Sequence, residues 1–217
     1  MNQKQNASKP WQFDLEEYIR QGEAGKAEKS CAWKTAIGLQ DVEGLETSAD
    51  LLETAKEHIE GYIDIDTARK RIDNYYETRT ERKEEEKGTE EADRVAVRIT
   101  QILSEKTFQF SPAEYRMIHK RLFFGIYDHA GMARTYNITK KEWVLHGKSV
   151  FYASADSINA TLEYDFGQEK QFSYKGLSLQ ESVRHLAKFT SDIWQIHPFC
   201  EGNTRTTAVF IVKYLKT

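Results

Sequence analysis

The chain has 217 residues, enough to bury a sizeable core, and a formal net charge of −3. This near balance argues against direct nucleic-acid binding, because a nucleic-acid binder concentrates basic residues that neutralise phosphates. The mean hydropathy is −0.69, and no stretch approaches the ~18 apolar residues of a spanning helix, so we expect no membrane association.

The cysteines and the N-terminus indicate the compartment. Cys31 and Cys200 lie far apart and neither belongs to a CxxC pair, so we expect neither a disulfide framework nor a structural zinc. The polar start MNQKQNASKPWQF lacks the apolar centre of a signal peptide. We therefore expect a cytoplasmic protein, and leave delivery to another cell open.

The N-terminal part predicts four short helices. Apolar residues recur at helical spacing in FDLEEYIRQGEAG, EKSCAWKTAIGLQDVEG, SADLLETAKEHIEG and DTARKRIDNYYETR. Ser48 is a candidate N-cap of the third helix, while Gly44 and Gly61 are candidate C-caps of the second and third. The charge run ETRTERKEEEKGTEEADR is typical of a solvated linker and places a domain boundary near residue 88.

The C-terminal part predicts longer core helices. Helical spacing resumes at Ala92, Val95, Ile99 and Ile102. A second helix begins in FSPAEYRMIHKRLFFGIYDHAG, with Ser111 as N-cap and Pro112 at the first position, and is expected to end near Gly131. Few prolines and many helix-forming residues make the whole chain mainly α.

In one segment the apolar residues no longer follow helical spacing. EWVLHGKSVFYAS consists of a β-prone run, a His-Gly turn and a second β-prone run at Val150, Phe151 and Tyr152. This pattern predicts a β-hairpin at about residues 142–152.

A last pair of helices flanks a polar loop. Ser178 and Glu181 form a capping box for a helix with an apolar stripe. The stripe comprises Leu179, Val183, Leu186, Thr190, Ile193 and His197. His197 therefore lies where the buried stripe is expected to end, just before the loop HPFCEGNTR.

The loop HPFCEGNTR combines residues that suit phosphate chemistry. Pro198 disfavours helical backbone at His197, so the helix should stop there and present an imidazole that can take a proton from a hydroxyl nucleophile. Gly202 permits a tight turn before the next helix, whose N-terminus suits a phosphate. Arg205 can bind phosphate oxygens, and Glu201 can hold a hard cation such as Mg²⁺.

A plainer interpretation treats each residue as ordinary loop chemistry. A His before Pro can simply end a helix, Glu and Arg can pair on the surface, and Gly-Asn is common in turns. The combination between two apolar helices favours a phosphate-handling site.

HPFCEGNTR resembles the motif of the Fic family, HxFx[D/E]GNGRxxR, at every fixed position except two. The segment LFFGIYDHAGMAR, with Gly131 and Arg134, is similar to the one that precedes the family's flap, and the predicted hairpin resembles that flap.

The resemblance implies transfer of AMP from ATP to a Ser, Thr or Tyr hydroxyl of a protein target. His197 would be the base, Glu201 the Mg²⁺ ligand and Gly202, Asn203, Thr204 and Arg205 the phosphate-binding residues. Val150, Phe151 and Tyr152 of the flap would hold the target.

The two departures concern Thr204 and Ala208. Thr204 replaces a glycine, and a β-branched residue tolerates positive φ poorly, so we expect a reshaped anion-binding loop. Ala208 replaces an arginine that in the family helps to hold the γ-phosphate, which weakens nucleotide binding by about 1.5–3 kcal/mol. We therefore also consider a phosphoryl transfer with the nucleotide reversed and a non-catalytic nucleotide-binding interaction protein.

The N-terminal helices resemble a second module. LQDVEGLETSADLLETAKEHIEGYIDIDTARKRI is similar to the small antitoxin that covers the Fic site in bacterial toxin–antitoxin pairs, here fused in one chain. Its inhibitory pattern [S/T]xxxE[G/N] matches at Glu43 and Gly44, whereas Leu39 occupies the hydroxyl position. Glu60 with Gly61 is a weaker second candidate. The resemblance implies that Glu43 restrains the site.

The sequence thus predicts three parts: an N-terminal extension at 1–34, an inhibitory module with a charged linker at 35–88, and a Fic core at 89–217. The apolar run AVFIVKYLKT reaches the last residue without a stop signal, so we expect the natural chain to continue. ATP and Mg²⁺ are the expected cofactors and a protein target the expected partner, with a homo-oligomer left open.

Overall fold

The computed structural model describes residues 10–78, 84–141 and 149–217. Within these ranges the protein is mainly α-helical, as predicted, with one two-stranded antiparallel sheet. The helices are α1 Pro10–Gln21, α2 Ala24–Val42, α3 Ala49–Glu60, α4 Ile65–Glu77, α5 Glu84–Ser104, α6 Pro112–Phe123, α7 Ile158–Gln171, α8 Leu179–Ile196 and α9 Asn203–Tyr214. The strands are β1 Thr139–Lys141 and β2 Ser149–Phe151. In the described ranges no helix is both long enough and apolar enough to cross a bilayer.

The chain divides into two compact units, Met1–Lys106 and Thr107–Thr217. Helices α1 to α5 form the first unit, in which α5 packs against α2 and α4. The predicted boundary near residue 88 therefore falls inside α5. The functional division of the chain into three parts is not tested by this packing and stays a prediction.

The first unit is held by apolar helix faces and satisfied caps. Its largest fully buried side chains include Trp33, Ile37, Leu51, Ile59, Ile72 and Ile99. The Ser48 hydroxyl accepts the Leu51 N–H at 3.1 Å, and Gly44 and Gly61 adopt positive φ, which confirms the predicted caps.

The second unit packs α6 against α9 and α7 against α8 around an aromatic core. This core includes Phe110, Tyr115, Phe166, Phe199 and Phe210. The buried Glu169 carboxylate on α7 accepts the Tyr174 hydroxyl at 2.6 Å and the Tyr214 hydroxyl at 2.7 Å, and lies 2.7 Å from His185 Nε2. Helices α8 and α9 are therefore fixed to α7 at the ends remote from the loop that joins them.

Two predicted features of the helices are wrong. Helix α6 ends at Phe123 rather than near Gly131, because the chain turns at Gly125, which adopts φ +73°. Leu179 and Val183, predicted on a buried stripe, are 81% and 56% exposed, and the buried residues of α8 begin at Phe189. Helix α7 was not predicted, since Gly167 and scattered polar residues obscure its period.

The structure describes part of the predicted hairpin, with β1 just before the predicted first strand. Thr139 pairs with Phe151 and Lys141 with Ser149 in antiparallel register. The predicted first strand, at residues 142–145, and the His-Gly turn lie outside the described residues. The hairpin follows the loop after α6 and precedes α7, so its two ends both return to the body of the second unit.

Candidate active site

His197 occupies a specialised backbone position at the end of α8. Its φ of 49° and ψ of 60° are left-handed, and it is the only residue other than glycine with positive φ in the described ranges. Helix α8 therefore ends immediately before Pro198, as predicted. The imidazole packs against the Tyr152 ring, with 4.3 Å between ring centroids and an interplanar angle of 30°.

The loop after His197 is closed by the side chain of Asn203. Its Oδ1 accepts the Phe199 N–H at 2.9 Å, and its Nδ2 donates to the Phe199 carbonyl at 2.8 Å. Phe199 is fully buried and fixes the loop in the core. The Asn203 side chain is therefore used to close the loop, since both ends of its amide bond to the Phe199 backbone.

Helix α9 begins directly after Gly202, which adopts φ +74°. No described side chain caps this helix end, so its first-turn N–H groups suit an anion. Thr204 is the second helical residue and does not have positive φ. Thr204 is therefore not strained in this backbone, and the expected reshaping of the anion-binding loop stays a prediction.

Arg205 is held below the loop in a buried position. Its guanidinium donates to the Tyr127 hydroxyl at 3.1 Å and lies 4.8 Å above the centre of the Phe123 ring. Only 2% of the residue is exposed. Ala208, one turn further along α9, adds no charge, so Arg205 is the cation that the motif supplies.

His119 supports the loop from α6, a role that the sequence analysis missed. Its Nδ1 accepts the Gly131 N–H at 2.7 Å, so the proton is on Nε2, which donates to the Glu201 carbonyl at 3.0 Å. The ring also stacks on Phe199, 3.7 Å between centroids. Burial lowers the pKa of His119 to about 4, which keeps the imidazole neutral. Its place on the buried face of α6, between Tyr115 and Leu122, was the available signal.

Glu201 presents its carboxylate to solvent while its carbonyl is tied to His119. In the described ranges no group of three or more His, Cys, Asp or Glu residues could hold a metal ion. A single carboxylate still fits Mg²⁺, which commonly takes one or two protein carboxylates together with substrate phosphates and water.

The hairpin lies beside His197. Val150 is half-buried, Phe151 is 73% exposed, and Tyr152 contacts the imidazole. The Gln195 amide donates to the Phe151 carbonyl at 3.4 Å, which links β2 to α8. A cavity of 430 Å³ opens between the end of β2 and the end of α8.

Glu43 lies in the first unit, as the residue that follows the last turn of α2. Its side chain is exposed, and Gly44 turns the chain with φ +74°. Glu60, the weaker candidate, is instead paired with Lys26 at 2.9 Å.

The site is thus a His-Pro-Phe loop between two core helices, closed by an Asn and followed by a buried Arg. Residues 109–215 match the Fic/DOC family, so the chain carries a Fic/DOC domain. It is similar to the protein adenylyltransferase VbhT of Bartonella schoenbuchensis, with 28% identity over 103 residues. That match covers 48% of this chain and 20% of the relative.

Proposed function

We propose that this protein is a protein adenylyltransferase, which moves AMP from ATP to a Ser, Thr or Tyr hydroxyl of a target protein. The observation that carries the proposal is the pairing, within a Fic/DOC domain, of His197 at the left-handed end of α8 with the buried Arg205 in the first turn of α9. The name of the relative VbhT agrees with this activity.

The proposed reaction uses groups that are already oriented. The His197 imidazole takes the proton of the target hydroxyl as its oxygen attacks the α-phosphorus, and pyrophosphate leaves with the electrons of the broken P–O bond. The N–H groups at the start of α9 and the Arg205 guanidinium stabilise the phosphate charge. Glu201 would hold Mg²⁺, whose role is to neutralise charge on the phosphate oxygens.

The hairpin is proposed to bind the target. Its strands are three residues long and antiparallel, and Phe151 is exposed at the end of β2. An extended target segment could add to this sheet by backbone hydrogen bonds, which would hold its hydroxyl near His197.

We further propose that the N-terminal module restrains the activity through Glu43. The support is the resemblance of its helical pattern to a Fic antitoxin and the exposed position of Glu43 at the end of α2. A module in the same chain acts at a high effective concentration, so a weak interaction would suffice.

Ala208 favours one alternative. Without a second motif arginine, nucleotide binding is weaker, and the domain would act as a nucleotide-binding interaction protein with little catalysis. Incubation with Mg-ATP labelled at the α or the γ position distinguishes the candidates. Label from the α position supports AMP transfer, label from the γ position supports phosphorylation, and absence of both supports the interaction protein.

Intact-mass spectrometry after incubation with Mg-ATP and a lysate names the transferred group directly. The mass added to a modified protein differs between AMP and phosphate. A His197→Asn variant serves as the matched control, because asparagine tolerates the left-handed backbone at this position.

A further inference from the structure

Arg134, in the segment between α6 and β1, has a buried guanidinium surrounded by backbone carbonyls. Its Nε donates to the His197 carbonyl at 2.8 Å and its Nη1 to the Tyr136 carbonyl at 2.7 Å. Its Nη2 donates to the Ala153 carbonyl and, at 3.3 Å, to the Ile196 carbonyl. Only 3% of the residue is exposed. One side chain therefore joins four carbonyls.

These carbonyls belong to three separate segments. Tyr136 precedes β1, Ala153 follows β2, and Ile196 and His197 form the end of α8. The backbone N–H of Arg134 also donates to the Pro198 carbonyl at 2.8 Å, so the residue is fixed on both sides of the His-Pro bond. Both ends of the hairpin are thus tied to the residue that carries the proposed base.

A connection of this kind is required to fix the orientation of the hairpin relative to α8. An isolated two-stranded sheet is marginally stable in water, and the described part of each strand has three residues. Its orientation therefore depends on how its two ends are held. Arg134 holds both ends through the same planar group.

The connection extends to the imidazole itself. Ala153, whose carbonyl Arg134 binds, follows Tyr152, whose ring packs against His197. The guanidinium thus binds the His197 carbonyl directly. It also binds the Ala153 carbonyl, next to Tyr152, whose ring contacts the imidazole. Small displacements at either end would change the angle between the imidazole and the hairpin.

We propose that Arg134 is a positioning residue, which aligns the target-binding hairpin with the His197 imidazole. The inference rests on the proposed transfer activity. An arginine is required because its five N–H donors diverge in one plane, whereas a lysine offers three donors from a single nitrogen and cannot reach carbonyls of three segments. Arg134 itself touches neither nucleotide nor hydroxyl in this role.

The test compares Arg134→Lys with Arg116→Lys. Arg116 is a partly buried arginine of the same unit that donates to Asn159, at the start of α7. Both are measured for self-modification with α-labelled Mg-ATP, in the parent chain and in a Glu43→Gly background, so that restraint is not mistaken for missing chemistry. Hydrogen exchange of residues 149–154 is measured in parallel.

For Arg134→Lys we expect the rate constant at saturating ATP to fall about 10- to 100-fold, as for a misplacement of about 1 Å. The ATP concentration at half-maximal rate should stay within about twofold, because Arg134 does not bind the nucleotide. Exchange in residues 149–154 should accelerate, and Arg116→Lys should match the parent in all three measurements. A folded Arg134→Lys with the parent's rate constant and exchange would overturn the inference.

The experiment also distinguishes an unfolded variant from a parent chain that lacks transfer activity. If Arg134→Lys is unfolded at the assay temperature, Arg134→Ala is measured with added methylguanidinium, which supplies the same planar donors. Recovery of both fold and rate supports the inference, and recovery of the fold alone contradicts it. If the parent and the Glu43→Gly chain transfer no label to themselves or to proteins of a lysate, the proposed function fails, while hydrogen exchange still decides whether Arg134 orients the hairpin.

Discussion

Gly202 lies directly against the ring of Phe123. A Cβ at position 202 would be 2.4 Å from two carbons of that ring, and the backbone there has φ +74°. The same ring lies under the Arg205 guanidinium. The glycine at the start of α9, the aromatic floor and the phosphate-binding cation therefore form one packed stack.

Gly202→Ala should destabilise the second unit by more than the free-energy cost of placing an alanine in left-handed backbone. The backbone term is about 1–2 kcal/mol, and the overlap with Phe123 adds about 1–3 kcal/mol. Gly125→Ala is the matched control, because Gly125 has φ +73° with open space around it. Urea unfolding should show the larger loss for Gly202→Ala. Equal losses in the two variants would mean that the ring moves aside freely.

His197→Asn should abolish transfer while the fold persists. Removal of a general base typically lowers the rate by about 10²-fold or more, and asparagine tolerates φ near +50° better than alanine does. The α-label assay gives the rate, calorimetric titration gives ATP affinity, and urea unfolding gives stability. Parent-like labelling by this variant would exclude His197 as the base.

The sequence was sufficient for features that depend on neighbouring residues. The Ser48 cap, the capping box at Ser178 and the stop at His197 each follow from a few residues and are confirmed. The apolar helical patterns on both sides likewise placed the loop between two helices. These features depend on local backbone preferences, which a single sequence carries.

The supporting residues could not be predicted, because they act across long separations. Arg134 reaches carbonyls before and after the hairpin and 63 residues away at His197, and His119 bonds to Glu201 across 82 residues. Nothing in the spacing of a chain reveals such partners. The helical backbone at Thr204 could not be predicted either, since it depends on how Asn203 and Gly202 close the loop.

Acid should destabilise the second unit through His119. Burial, together with repulsion from the Arg205 guanidinium, lowers its folded pKa to about 4, whereas an unfolded histidine titrates near 6.5. The unfolded state binds more protons between these values. The contribution of His119 to stability is therefore complete above about pH 6.5 and decreases as the pH falls towards 4, by up to ~1.4 kcal/mol per pH unit.

The measurement for His119 is the free energy of unfolding at pH 7, 6, 5 and 4.5. His119→Gln should be less stable at pH 7, because the loop loses its well-fitted support, but its stability should fall less steeply with acid. His58 of the first unit also has a pKa lowered to about 4 by burial, so His58→Gln is the parallel control for the other unit. Identical slopes for parent and His119→Gln would contradict the assignment.

Val150→Pro should impair modification of a protein target more than ATP binding. Val150 is the central residue of β2 and pairs with Lys140, and proline removes its N–H and fixes φ. Each lost backbone hydrogen bond to a target segment would reduce target affinity roughly 2- to 10-fold. Titration of ATP and labelling of a modified target give the two quantities. Equal losses in both would assign the hairpin a purely structural role.

The last prediction concerns restraint by Glu43. A carboxylate that opposes the triphosphate at Arg205 would compete with the γ-phosphate. Its removal should raise activity without changing the proposed catalytic residues. Ala208 and Leu39 lack groups that the family uses for this interaction, so the restraint should be weaker than in the family. If Glu43 inhibits only weakly, the parent chain should still show measurable self-modification at saturating ATP.

Glu43→Gly should therefore raise self-modification with α-labelled Mg-ATP, most clearly at low ATP, where a competing carboxylate has the greatest effect. Glu60→Gly is the matched control: it removes an acid before a glycine at the end of a helix, and the ion pair that it breaks, with Lys26, lies at the surface, where such pairs contribute little to stability. ATP titrations of the parent and both variants give the rate and the half-maximal concentration. Glu60→Gly should follow the parent curve. If all three curves coincide, Glu43 does not restrain the site, and the N-terminal module acts only as a stabilising part of the chain.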